Sequence, residues 1–359
     1  MIPQVGISLR NQKELNMMLN DIVESTWFSE GKYCQQYLEL IQETLTSKHQ
    51  FLAPNGTLGL FLALSVFKEQ FPNGGDVLVP SFTFYGSATS IKFAGFNPIF
   101  VDCNPKTFQS DLEHFKEAHT PNTVGIMPVH IYGQIGMIKE ICDWAKSMNL
   151  FSIEDAAQAF GCKKNGKSAG SFADIGVFST FSDKIFTTGE GAILTTNNDD
   201  YAHKIKLIRN QGRPNAGTFT HPELGMNFRL TEFQAALGLH QLRHLKEELE
   251  ERREKYIYYG EKLKEINGFE TMELIEGSTL VPFRFPILSK QRELTNKNLN
   301  NADIQTRNFF VPMHLQPKFT AEHTRVMPNS EYISNHGTCL PIHCNISKKD
   351  IDYIIRSLA

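Results

Sequence analysis

From about residue 50 to residue 210 the chain alternates short apolar segments with segments of helical character. The apolar segments predict seven strands: 50–53, 76–80, 98–102, 124–129, 151–154, 174–178 and 192–195. Between two of them, apolar residues recur at helical spacing and predict one amphipathic helix over 138–148. Such alternation is typical of a mainly parallel sheet with helices on both faces. The sequence therefore predicts an α/β fold, in which ligands bind beyond the carboxyl ends of the strands.

The rest of the chain predicts a second, smaller domain. Thr231 and Gln234 have the spacing of a capping box that opens a helix ending near residue 245, and a charged helix follows over 247–264. Strands are expected at 280–286 and 303–309, and the last helix after Ser347. We therefore divide the chain into a large domain, residues 1–248, which includes an N-terminal helical segment, and a small C-terminal α+β domain, residues 249–359.

The composition excludes several classes of protein. With 36 basic and 39 acidic residues the net charge is -3, which does not favour nucleic acid or an anionic membrane as a partner. No apolar run approaches the roughly 18 residues of a membrane span. The first ten residues also lack the basic and then apolar pattern of a signal peptide. We therefore expect a soluble, cytoplasmic protein.

The cysteines and histidines do not predict a metal site. The six cysteines show no repeated close pair, which favours reduced thiols over a disulfide framework. One group of histidines and cysteines lies at 336–344, but a short buried strand expected at 340–342 separates its two halves. Zinc in a structural site requires four ligands arranged as a tetrahedron. We therefore expect no metal ion.

Two segments together suggest pyridoxal phosphate (PLP). Lys184 lies in a stretch of small residues, 179–191, where an imine-forming lysine would be held. Upstream, the apolar strand within 153–159 leads to Asp155, a carboxylate that can balance a protonated ring nitrogen, and Gln158 follows one helical turn later. Taken singly, each has an ordinary explanation, because most lysines after a strand are on the surface and most acids there cap helices.

Three further positions suit a cofactor that carries a phosphate. Gly56 and Thr57 follow the first strand and open a helix, where free N–H groups and the helix dipole attract anions. Ser179 follows another strand and is a second candidate phosphate ligand, and Phe84 or Tyr85 offers a ring to stack on the cofactor. A glycine turn with a threonine cap, and an aromatic ring in the core, explain the same residues without a ligand.

The order and spacing of these segments resemble the DegT/DnrJ/EryC1/StrS group of nucleotide-sugar aminotransferases. Members of that group are PLP-dependent enzymes of fold-type I, with the architecture predicted above. The resemblance runs from residue 50 to residue 345, nearly the whole chain. The matching stretches are 55–57, 79–84, 129–134, 153–158, 179–191, 224–229, 234–236, 313–317 and 340–343.

The resemblance implies a role for each candidate residue. Lys184 forms the imine with PLP, Asp155 pairs with the pyridine nitrogen, and Asn227 reaches the phosphate from the neighbouring subunit of a homodimer. The full set of expected cofactor ligands is Gly56, Thr57, Phe84, Asp155, Gln158, Ser179, Lys184 and Asn227. The residues expected on the substrate side are His130, Arg229 and His314, and each is equally well explained by a structural ion pair or a hydrogen-bonded histidine.

Three positions depart from the pattern of the group. Ala192 follows the Gly-Glu-Gly segment where a further glycine is usual, Phe160 stands where a histidine is common, and Met226 replaces a common aromatic. None of them removes a catalytic group. We expect Phe160 and Met226 to reshape the wall of the pocket.

The resemblance also implies the reaction. The amino group of L-glutamate would be transferred to a keto carbon of a nucleotide-linked sugar used in O-antigens or other surface glycans. The stretch 224–236 favours amination at C4 of a 4-keto-6-deoxy sugar over amination at C3. Two alternatives are a PLP-dependent sugar dehydratase, in which histidine would replace Lys184, and a non-catalytic regulator on the same scaffold, against which the intact Lys184, Asp155 and Ser179 argue.

Overall fold

The computed structural model describes residues 1–215, 217–320 and 325–358. Its helices are α1 Gln12–Ser25, α2 Lys32–Thr44, α3 Gly56–Ser65, α4 Tyr85–Phe93, α5 Leu112–Ala118, α6 Ile138–Ser147, α7 Asp199–Arg209, α8 Glu232–Leu242, α9 Leu245–Leu263, α10 Arg292–Asn301, α11 Pro328–His336 and α12 Lys348–Arg356. Its strands are β1 His49–Ala53, β2 Asp76–Pro80, β3 Asn97–Val101, β4 Thr123–Ile126, β5 Phe151–Asp155, β6 Lys163–Lys164, β7 Lys167–Ser168, β8 Ile175–Ser179, β9 Ala192–Thr196, β10 Phe269–Thr271, β11 Phe285–Ser289, β12 Arg307–Asn308 and β13 Gly337–Leu340.

A seven-stranded sheet forms the centre of the fold, in the order β1-β9-β8-β5-β4-β2-β3. All seven strands predicted between residues 50 and 195 are present in it, within one to three residues of their predicted bounds. From β8 to β3 every neighbouring pair is parallel, whereas β9 is antiparallel to both β8 and β1. No helix joins β8 to β9, and without a crossover helix consecutive strands pair antiparallel. The predicted mainly parallel α/β sheet is therefore confirmed, with one reversed strand.

The helices cover both faces of this sheet. Along β2, Val77 and Val79 belong to one hydrophobic cluster, while Leu78 between them belongs to another. Successive side chains of a strand point to opposite faces, so each face has a core of its own. The predicted amphipathic helix is α6, which buries Ile138 and Ile141. Burial on both faces explains why the strands of the centre read as continuous apolar runs.

A second, four-stranded antiparallel sheet, in the order β10-β11-β13-β12, lies in the C-terminal part. Phe285 of β11 packs against Tyr256 and Tyr259 of α9, with ring centroids 4.8 and 4.6 Å apart. The capping boxes of α8 and α12 are present, at Thr231 and at Ser347. The predicted domain division after residue 248 falls inside α9, and it stays a prediction.

Two predicted strand positions were wrong. The stretch expected as a strand from residue 280 pairs instead with a loop of the large domain, since the N–H of Val281 donates to the carbonyl of Gly133 at 2.8 Å; the strand begins only at Phe285. The strand expected at 340–342 is β13, which ends at Leu340 because Pro341 has no N–H to donate. Among the described helices, none has the length and apolar character needed to cross a membrane.

Candidate active site

A cavity of about 840 Å³ lies at the edge where the parallel strands of the central sheet end. Its walls come from the segments that follow β1, β2, β4, β5 and β8, and from residues in or next to the strands of the second sheet. The predicted residues that line it are Gly56, Thr57, Phe84, Asp155, Gln158, Ser179 and Lys184. The structure therefore brings seven of the eight expected cofactor ligands to one cavity.

One end of the cavity is an anion cradle at the start of α3. Asn55 caps this helix, its side-chain oxygen accepting from the N–H of Leu58 at 2.9 Å. The first N–H groups of a helix have no partner within it, so those of Gly56 and Thr57 are available to a ligand. A side chain at position 56 would place its Cβ 3.0 Å from Cβ of Ser179. Glycine therefore lets the helix start and the Ser179 hydroxyl approach the same small anion.

Asp155 forms the floor of the cavity and is only 4% exposed. One oxygen accepts from the hydroxyl of Ser87 at 2.7 Å and the other from the N–H of Ala157 at 3.1 Å. Burial raises the pKa of Asp155, and these hydrogen bonds and the charge of Lys184 offset part of that rise. Such a carboxylate is best stabilised by a cationic N–H that it can pair with inside the cavity.

Gln158 and Phe84 complete the part of the cavity that suits a flat ring. The side-chain oxygen of Gln158 accepts from the N–H of Tyr132 at 2.8 Å, so its amide NH₂ group remains as a donor for a ligand. Phe84 is 61% exposed and its ring meets that of Phe310 edge-on, with centroids 6.0 Å apart. An aromatic ring this exposed has a face free to stack on a ligand.

Lys184 lies in the segment between β8 and β9, and α8 holds that segment in place. The side-chain amide of Gln241 both accepts from the N–H of Thr187 at 3.1 Å and donates to its carbonyl at 3.0 Å. Gln234 donates to the carbonyl of Glu190 at 2.8 Å. Burial lowers the pKa of Lys184, and the charge of neighbouring Asp183 offsets part of the change. The lowered pKa increases the share of neutral amine, which is the nucleophilic form.

A charged network that the sequence analysis missed surrounds this lysine. Asp183 lies 3.2 Å from Nζ of Lys184, and its second oxygen accepts from Arg284 at 2.6 Å and from Arg307 at 2.7 Å. Burial raises the pKa of Asp183, but the three cations outweigh it and the pKa lies below its ordinary value. Arg284 and Arg307 thus place two guanidinium groups in the wall of the cavity, where they can bind anionic groups of a ligand.

The histidines predicted on the substrate side do not line the cavity. His130 is buried, with Nε2 2.6 Å from the buried carboxylate of Glu154. His314 is also buried and lies 2.6 Å from the hydroxyl of Ser81 and 3.2 Å from Glu331. Within this chain a structural ion pair or hydrogen bond therefore explains each histidine. Contact with substrate stays a prediction for both.

Asn227 and Arg229 also lie outside the cavity of their own chain. The side-chain oxygen of Asn227 accepts from the N–H of Arg229 at 3.1 Å, and the guanidinium of Arg229 donates to Asn210 at 3.1 Å. Asn227 is exposed, next to Met226, which is exposed as well. The contact of Asn227 with a neighbouring subunit and the contact of Arg229 with substrate both stay predictions.

The two substitutions expected to reshape the pocket wall do not line the cavity. Phe160 is buried, with its ring centroid 4.7 Å from that of Phe186 and 5.2 Å from that of Phe178. Phe186 belongs to the same segment as Lys184, so Phe160 supports the lysine segment from behind. Met226 lies on the surface. Neither therefore shapes the wall within this chain.

Comparisons with known proteins agree with this geometry. The sequence profile of the DegT/DnrJ/EryC1/StrS aminotransferase family matches residues 10–359. A protein of Caulobacter vibrioides named GDP-perosamine synthase is 35% identical, over 94% of this chain and 92% of that protein. One of the same name from Escherichia coli O157:H7 is 33% identical, over 95% and 93%. The crystal structure of a DegT/DnrJ/EryC1/StrS aminotransferase from Brucella abortus superposes with a TM-score of 0.88 at 27% identity, covering 97% of this chain and 95% of that one.

Proposed function

The chain belongs to the DegT/DnrJ/EryC1/StrS aminotransferase family, and from this premise we propose that it is a PLP-dependent nucleotide-sugar aminotransferase. It transfers the amino group of L-glutamate to C4 of a nucleotide-linked 4-keto-6-deoxy sugar, and the amino sugar enters an O-antigen or another surface glycan. The observation that carries the proposal is the meeting of Lys184, Asp155 and the anion cradle of α3 in one cavity.

The residues of the cavity fit PLP at each of its polar groups. Gly56, Thr57 and Ser179 hold the phosphate, Asp155 pairs with the ring nitrogen, and Gln158 donates to the ring hydroxyl. Phe84 stacks on one face of the ring. When bound, PLP supplies an electron sink for the substrate carbon that loses its proton.

The side chains of this chain supply the proton transfers and the binding of charge. Nζ of Lys184, with its lowered pKa, takes the proton from the α-carbon of glutamate and, in the second half of the cycle, gives a proton to the sugar carbon that receives the nitrogen. Arg284 and Arg307 bind the anionic groups of the substrates, the carboxylates of glutamate and the diphosphate of the nucleotide. Asp183 keeps the two arginines and Lys184 in place when no substrate is bound.

A homodimer is part of the same proposal. Asn227 does not line the cavity of its own chain, and the stretch of chain just before it exposes two large apolar side chains, Phe219 at 87% and Leu224 at 90%. Exposed apolar surface of this kind marks protein contacts. The active site is complete only when Asn227 of a second copy reaches the phosphate, so a monomeric form is inactive.

The proposal is tested by incubating the protein with PLP, L-glutamate and a panel of keto sugars linked to GDP, dTDP or UDP. Because two relatives are named GDP-perosamine synthase, GDP-linked sugars are tested first. We expect 2-oxoglutarate and, by NMR, a new amine at C4. An amine at C3 would favour the C3 alternative, and loss of sugar oxygen without gain of nitrogen would favour a dehydratase. No reaction with any sugar, and no visible band removed by borohydride, would favour a regulator.

A pair of variants tests the network around Lys184. Asp183 raises the pKa of Lys184 and Arg284 lowers it, so Asp183→Asn should lower that pKa further and Arg284→Met should raise it. A lysine reacts as the neutral amine, present above its pKa. The pH dependence of PLP incorporation, followed by absorbance, should therefore shift to lower pH in Asp183→Asn and to higher pH in Arg284→Met. Asp143→Asn, on the exposed side of α6, is the control, and shifts of the same sign in both variants would contradict the network.

A further inference from the structure

A cluster of possible metal ligands lies outside the lining of the cavity, between α1 and the end of α8. Glu14 of α1, His240 of α8 and His244 just after α8 bring ligand atoms within 4.8 Å of one another. Over residues 1–215, 217–320 and 325–358, no other group of three such side chains meets that distance. The histidines at 336–344, considered in the sequence analysis, therefore do not form a comparable group.

The histidines of this cluster have buried nitrogens without hydrogen-bond partners. His240 is fully buried, and neither of its ring nitrogens has a partner among the described residues; the same is true of Nε2 of His244. The nearest oxygen of Glu14 is 3.8 Å from Nδ1 of His240, too far for a hydrogen bond. A buried polar group without a partner costs about 1–3 kcal/mol. These nitrogens therefore make the cluster a candidate ligand site, at which one metal ion would bind one nitrogen of each ring.

The spacing of the cluster suits a divalent transition metal. His240 and His244 are four residues apart along a helical path, with ring centroids 5.7 Å apart, and residues at this spacing lie on one helix face. Two imidazoles and one carboxylate, with water in the fourth position, are the ligand set of zinc sites that keep one coordination position open. A tetrahedral zinc ion holds its ligand atoms roughly 3.4 Å apart. Zinc binding therefore requires the half-buried side chains of Glu14 and His244 to bring their ligand atoms closer together than the 4.8 Å within which they lie.

Arg243 orients the carboxylate of this cluster. Its guanidinium donates to Oε1 of Glu14, while Oε2 is the oxygen that faces His240. Oε2 also accepts from the side-chain amide of Asn11 at 3.0 Å, so both oxygens have an outer partner, as the ligands of metal sites do. Since the side chain of Arg243 is 40% exposed, water and salt screen its repulsion of a cation.

We propose that Glu14, His240 and His244 bind one Zn²⁺ ion that clamps the N-terminal helix α1 to α8. The same helix α8 supplies Gln234 and Gln241, which hold the segment that carries Lys184. The ion thus links α1 to the helix on which the lysine segment rests. The proposal does not depend on the proposed aminotransferase activity.

The test uses the tag-free, full-length protein, stripped of metal with a chelator and supplied with Zn²⁺ alone. We expect one zinc ion per chain after gel filtration, a higher melting temperature with zinc than without, and for Co²⁺ the visible spectrum of a tetrahedral site. His244→Gln and Glu14→Gln should weaken zinc binding at least about tenfold. His203→Gln, which removes an exposed histidine from α7, should leave it unchanged. Lys184→Ala should also bind zinc as the wild type does, which separates this site from the cofactor.

Three outcomes would overturn the zinc site. The first is that the wild-type protein retains no zinc, which is the behaviour expected of a cluster bridged only by water. The second is that zinc is retained, but its affinity and stoichiometry are unchanged in both His244→Gln and Glu14→Gln. The third is that the cobalt spectrum shows a thiolate band, which would mean that the ion is bound by cysteines. Circular dichroism of each variant confirms that it is folded, and the half-buried positions 14 and 244 are chosen because His240, in the core, risks unfolding when replaced.

Discussion

Lys184→Ala abolishes amino transfer and leaves a folded protein. The variant loses both the covalent attachment of the cofactor and the base that moves the proton, and each such contribution is worth about 10²- to 10⁴-fold in rate. We therefore expect a loss of about 10⁴-fold or more in turnover with glutamate. The fold should survive because Asp183 keeps Arg284 and Arg307 as partners after the lysine is gone. Turnover is measured as 2-oxoglutarate released, and the fold by circular dichroism and gel filtration.

Two further lysine variants separate the amine from its charge. Lys184→Arg keeps a cation beside Asp183, but a guanidinium stays protonated and cannot act as nucleophile or base, so this variant should be as inactive as the alanine. Lys290→Ala removes an exposed lysine just after β11 and should retain activity. Borohydride followed by peptide mass analysis should place PLP on residue 184 of the wild type and on no residue of the variants. Substantial turnover in Lys184→Ala would disprove the assignment.

The cofactor side of the cavity was predictable because its residues lie in short segments directly after strands. Parallel strands bring their carboxyl ends to one edge, so the order of β1, β5 and β8 in the sheet assembles Gly56, Asp155 and Ser179 without further information. The strand pattern itself was readable, since buried parallel strands leave apolar runs of about five residues. Local sequence and topology thus suffice for this half of the site.

The substrate side was not predictable in the same way. Arg284 lies just before β11 and Arg307 lies in β12, and both reach Asp183 only through tertiary packing, in which Val281 pairs with the loop at Gly133. The apolar pattern of residues 280–286 predicts a strand there instead. The one signal available was Asp183 itself, a carboxylate directly before the reactive lysine, which requires cationic partners when buried.

His130 shows a different limit. Glu154 and Asp155 are neighbours on β5, and successive side chains of a strand point to opposite faces. Asp155 faces the cavity, and Glu154 faces the other way, where it binds His130 and accepts from the N–H groups of Gly170 and Phe172. The sequence alone does not indicate which face of the sheet a histidine after a strand contacts. The partner of Glu154 could be inferred only after the direction of β5 was known.

Asp155→Asn should separate catalysis from the stability of the fold. A carboxylate close to a cationic nitrogen raises the pKa of that nitrogen by about 1–3 units, so its loss leaves roughly 10- to 1,000-fold less protonated ring and a similar loss of turnover. The variant should still bind PLP, through Lys184 and the cradle of α3. Single-turnover rates with glutamate, measured at saturating PLP, report the loss.

In the apoprotein we expect Asp155→Asn to preserve or raise the stability of the fold, because the pKa of Asp155 is raised. Burial raises the pKa of Asp155 in the folded state. Between the unfolded and the folded pKa, the folded apoprotein therefore holds a proton that the unfolded chain has released. Its contribution to stability is complete below the unfolded pKa and is lost as pH rises through the folded one. Asparagine carries no charge to bury, so at neutral pH the apo variant should melt at or above the temperature of the wild-type apoprotein, whereas PLP should stabilise the variant less.

Ser152→Ala, a β5 position whose hydroxyl bonds Asp174 outside the cavity, is the control expected to keep its activity. Wild-type turnover in Asp155→Asn would exclude the pairing with the ring nitrogen, and a large loss of apoprotein stability would make Asp155 a structural residue first.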